Sequence, residues 1–70
     1  MTETMKIWLK NIYLHAADEH FVAASNEHLW ALGAPNGEAA MLHEMNAEEN
    51  KEFAYILIDM ANEIDGGKLI

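Results

Sequence analysis

From Glu3 to Leu32 the chain contains no glycine or proline, and its apolar residues form two stripes on roughly opposite sides of a helix. One stripe is Met5, Leu9, Ile12, Ala16, Ala23 and Trp30, with Trp8 beside it; the other is Ile7, Leu14, Phe21 and Leu32, interrupted by His28. A helix apolar on both sides needs cover on both sides. The segment reads either as one helix over about 3–32 or as two helices broken near 17–18, where Asp18 is a suitable N-cap. A strand over Ile7 to Leu14 is a further alternative, but it would find its pairing partner only in another subunit.

Gly33-Ala34-Pro35-Asn36-Gly37 is a connector, with Gly33 placed to end one helix and Asn36 to cap the next. A short helix is predicted over about 37–45, with Met41, Leu42 and Met45 on one side. Asn46-Ala47-Glu48-Glu49 then has the form of a capping box, which predicts the start of a last helix over about 47–65. Phe53, Ile56, Leu57, Met60, Ala61 and Ile64 recur along it at spacings of three and four, and Gly66-Gly67 supplies a stop before a short tail, 66–70. Tyr55 and Ile58 lie off that main apolar face. The expectation is an all-α single domain, 1–70, of three or four helices: a long or kinked first, a short middle and an amphipathic last.

With 51% hydrophobic residues the chain is too apolar for a disordered tail, and with no cysteine it has no disulfide to reinforce a small core. A second subunit would supply what is missing, so a homo-oligomer is expected, most simply a homodimer. Neither a signal peptide nor a membrane span is read in the first residues, and the default location is cytoplasmic, with no membrane partner.

Charge narrows the functional classes. Twelve Asp and Glu face four lysines, and there is no arginine, which argues against direct nucleic-acid binding because phosphate contacts need basic side chains. Catalysis has little to build on: cysteine is absent, Ser25 is the sole serine, and no third group orients a Ser25–His28 pair. No phosphate-cradling loop or Glu-x-x-His pair occurs, so no enzyme, cofactor or resident metal is expected. A distant alternative is a small metal or ligand binder using His15 with Asp18 or Glu19.

What remains is an acidic protein-interaction module that inhibits or modulates a basic or nucleic-acid-binding protein. The acidic candidates for partner binding are Asp18, Glu19, Glu27, Glu48, Glu49, Glu52, Asp59 and Glu63, with Glu38 and Glu44 on the middle segment. The apolar candidates, for a partner or for self-association, are Ile7, Trp8, Leu14, Phe21, Trp30, Tyr55 and Ile58. In size, acidity and lack of a catalytic constellation the chain resembles the small inhibitor and accessory proteins that bacteriophages encode, anti-CRISPR proteins and antagonists of host regulators among them. That likeness is one of type and carries no residue roles. The alternative is a self-contained homo-oligomeric regulatory or antitoxin-like protein whose spare apolar stripe is consumed by assembly.

Overall fold

A computed structural model describes residues 1–65; the Gly66-Gly67 stop and the Lys68-Leu69-Ile70 tail lie outside the described residues. Two helices, α1 (Glu3–Leu32) and α2 (Gly37–Asp65), pack against each other as a hairpin, and no strand occurs among the described residues. The Cα positions span 52 × 16 × 9 Å. That is a single layer of two helices, where most domains close a core between two layers.

The all-α expectation holds, and the three-or-four-helix count does not. α1 passes Asp18 without a break, because Ala17 beside it is buried against α2 while Asp18 faces outward, and a cap there would pull Ala17 out of line. The middle and last helices are one. Asn46 is an interior residue of α2 whose carbonyl accepts a hydrogen bond from Asn50 Nδ2 at 2.9 Å. Ala47, next to it, is buried, so a helix break at Asn46 would open the interface at that point.

The true caps sit at the outer ends. Thr2 Oγ1 accepts from the Met5 amide at 3.1 Å at the start of α1. Asn36 Oδ1 accepts from the Ala39 amide at 2.8 Å, and its carbonyl from the Ala40 amide at 3.1 Å, opening α2 as its sequence position predicts. Gly33 ends α1 with φ −99°, so the turn does not use the left-handed conformation that glycine alone adopts freely.

The interface between the helices is built on alanine. Ala17, Ala24 and Ala31 of α1 and Ala47, Ala54 and Ala61 of α2 are buried, each set spaced by seven. Spacings of three and four complete each seam: Lys6, Lys10, Tyr13, His20 and Glu27 join the α1 alanines, while Ala40, His43, Asn50, Leu57 and Ile64 join those of α2. Small residues let two backbones approach closely, since interhelix distance follows side-chain size. Ile64 is the one large side chain fully buried among the described residues.

Polar pairs fix the register. His20 Nδ1 donates to Asn50 Oδ1 at 2.9 Å, and His43 Nδ1 to Glu27 Oε2 at 2.5 Å, both across the seam. Sliding one helix by a turn would strand these four partly buried groups, so they select one alignment among several that an alanine seam would tolerate.

Candidate interaction surfaces

The seam runs between the two apolar stripes of α1, so neither stripe is the core. On one flank lie Leu9, Ala16, Ala23 and Trp30 of α1 beside Ala39, Asn46, Phe53 and Met60 of α2. Two ring contacts cross this flank, Trp30 with His43 at 5.9 Å and His20 with Phe53 at 5.5 Å between centroids. The opposite flank carries Ile7, Leu14, Phe21 and His28 of α1 beside Glu44, Lys51 and Ile58 of α2. There Phe21 meets Tyr55 edge-on at 5.6 Å and His28 Nδ1 donates to Glu44 Oε1 at 2.7 Å.

Large apolar side chains therefore face solvent while alanines are buried. Trp8 is 64% exposed, Leu29 60% and Trp30 56%; Ile7, Ile12, Leu14, Val22, Phe53, Tyr55 and Ile56 are also open. The expected apolar face of the last helix divides accordingly: Leu57, Ala61 and Ile64 enter the seam, Phe53 and Ile56 stay outside, and Met60 is half-buried. Of the apolar candidates, Ile7, Leu14, Phe21, Tyr55 and Ile58 share the second flank, whereas Trp30 lies on the first and Trp8 on the outer surface of α1.

The two helices differ in charge. α1 holds Glu3, Asp18, Glu19 and Glu27 against Lys6 and Lys10, a formal −2; α2 holds eight acids against Lys51, a formal −7. On the outer surface of α2 a shallow groove of about 370 Å³ has Met41 and Met45 as its apolar lining and Glu44, Glu48, Glu49 and Glu52 as its charged one. Glu48 also meets Lys51 Nζ at 3.3 Å. On α1 a second groove, about 390 Å³, is lined by Trp8, Asn11, Ile12, His15, Ala16 and Glu19.

No family model, curated protein or solved structure matches the chain. Its surfaces are thus read from their own chemistry.

The acidic candidates do not act as one set. Glu48, Glu49 and Glu52 share the α2 groove, and Asp59 and Glu63 lie further along the same helix. Asp18 is exposed on α1, and Glu19 meets His15 Nε2 at 3.2 Å. Glu27 is different: its side chain is 18% exposed and committed to His43 in the seam, which occupies it structurally. Among the described residues no three His, Asp or Glu side chains converge on a point where a cation would sit. Nor, among the described residues, is any helix long and apolar enough to cross a membrane.

Sequence reasoning passed over Met41 and Met45 as contact residues, and Val22 and Leu29 entirely. The signal for them was the seven-residue alanine repeat, which identifies the buried seam and, by subtraction, everything outside it.

Proposed function

We propose that the chain is an acidic protein-interaction module that binds a basic protein and modulates it by occupying its surface. The observation that supports this most is the Met41 and Met45 groove with Glu48, Glu49 and Glu52, on a helix of formal charge −7. Methionine is flexible and polarizable and adapts to varied apolar partners. Carboxylates around it raise the encounter rate with a Lys- or Arg-rich face and orient it on arrival. Apolar contact then sets residence time, because most affinity differences lie in dissociation. Nothing in this mode of action requires a chemical step. Blocking a basic active or nucleic-acid-binding surface is the form of modulation such a groove suits, as in the phage inhibitors the chain resembles in type.

The test starts with native mass spectrometry of the untagged protein drawn at low salt from cells of its own source. A bound protein of basic surface, released as salt rises, is the expected finding. Against that purified partner, the triple variant Glu48→Gln, Glu49→Gln, Glu52→Gln should associate about tenfold more slowly, with a flatter salt dependence. A partner held equally at all salt concentrations and by the triple variant would overturn the proposal.

A further inference from the structure

We propose that the surface of α1 running from the first flank, with Ala16, Ala23 and Trp30, to the outward side, with Trp8, Ile12, Val22 and Leu29, is covered by the same surface of a second copy of this chain. The pairing is independent of the basic partner, which uses α2.

Three observations carry it. First, α1 presents large apolar residues on both flanks of the seam and at the outward positions Trp8, Val22 and Leu29, leaving the row Thr4, Asn11, Asp18 and Ser25 as its polar side. A helix with that much exposed apolar surface needs more cover than its alanine seam, which is all that α2 covers.

Second, the area fits. With Trp8, Trp30, Val22, Leu29 and Ile12 each about half exposed, this surface offers roughly 600 Å² of mostly apolar area, at the lower end of what one partner of a stable interface buries. A standard stable interface buries about 800 Å² on each partner.

Third, charge selects the occupant's orientation. Docking α2 on α2 would set −7 against −7. Docking α1 on α1 places the acidic helices at the two outer edges of a four-helix layered assembly, where their repulsion is least and the glutamate groove stays open. Glu19, between Ala16 and Ala23, is the one carboxylate within the α1 surface, and it enters the pairing already matched to His15 at 3.2 Å rather than alone. Ala16 and Ala23 are spaced by seven, as are the seam alanines, and offer a second line of close approach. A surface that meets its own copy about a two-fold axis closes the assembly at two.

The chain supplies its own reporter, since its only two tryptophans, Trp8 and Trp30, both lie at this surface. Sedimentation equilibrium of the full chain should give twice the 7.9 kDa monomer mass. Acrylamide quenching of tryptophan fluorescence should fall as concentration drives dimer formation. Ala16→Glu with Ala23→Glu should weaken the dimer by on the order of a hundredfold or more, because a buried unpaired carboxylate opposes assembly; Met45→Glu, on the outer side of α2, should leave it intact. If the double variant fails to fold, the quenching series on the unaltered chain decides alone. A monomer at all concentrations, an assembly larger than two, or a dimer whose tryptophans remain fully quenchable would each overturn the proposal.

Discussion

Alanine contributes about 0.8 kcal/mol for the one methyl carbon it buries, against about 1.5–3 kcal/mol for a leucine or phenylalanine. Six buried alanines and Ile64 are therefore a weak core for two long helices, and their value is geometric: they set how near the backbones come. Ala54, with no exposed area, is the sharpest case. Ala54→Leu adds apolar surface yet should destabilise the hairpin by about 1–3 kcal/mol, since the larger side chain has no space between closely packed helices. Urea denaturation read by circular dichroism checks this, and a stabilised variant would show that the seam is loosely packed. At this scale the sequence misleads in an instructive way. Hydrophobicity ranks Trp8, Phe53 and Ile56 above Ala17 and Ala54 as core residues, while the structure ranks them in reverse. What selects the alanines is their register on both helices at once, together with His20–Asn50 and Glu27–His43, and such pairings across the hairpin are invisible to any reading of one helix at a time.

Helical character was legible along both segments, but the number of helices was not, because an internal cap signal is decisive only where the cap stands alone. Asn36 follows a Gly and Pro cluster and precedes good helix formers, so its role could be read directly; it caps α2 through the Ala39 amide. Asn46 offers the same chemistry, with Glu49 in the capping-box position, yet the helix runs through it. Good helix formers precede it, and the buried Ala47 rewards continuity more than a cap would. The two asparagines thus separate a real cap from a local resemblance. Asn36→Ala should cost about 1 kcal/mol, and Asn46→Ala should be neutral or stabilise by up to about 0.7 kcal/mol through better helix propensity. Thermal unfolding of the two variants distinguishes them: for a chain of this size about 1 kcal/mol corresponds to a midpoint shift of roughly 4–8 °C. Equal losses at both sites would mean that a helix does begin at Asn46.

Over the whole molecule the helices divide the work. α1, with a formal −2, exposes apolar residues on both flanks of the seam and on its outward side; α2, with a formal −7, exposes the glutamates. The two apolar stripes of α1 were readable from spacing alone. That the second helix would lie between the stripes and cover neither was not, because this depends on where α2 places its own alanines. This inversion of inside and outside is the central feature of the molecule. It is tested most directly by thiol-labelling rates of two single-cysteine variants, Ala54→Cys in the seam and Val22→Cys on the outer surface of α1, in a chain that has no other cysteine. Ala54→Cys should be protected wherever circular dichroism shows the helices intact, and Val22→Cys should react freely in dilute solution and become protected as concentration rises. A reactive Ala54→Cys in the folded chain, or a Val22→Cys protected even at high dilution, would contradict it.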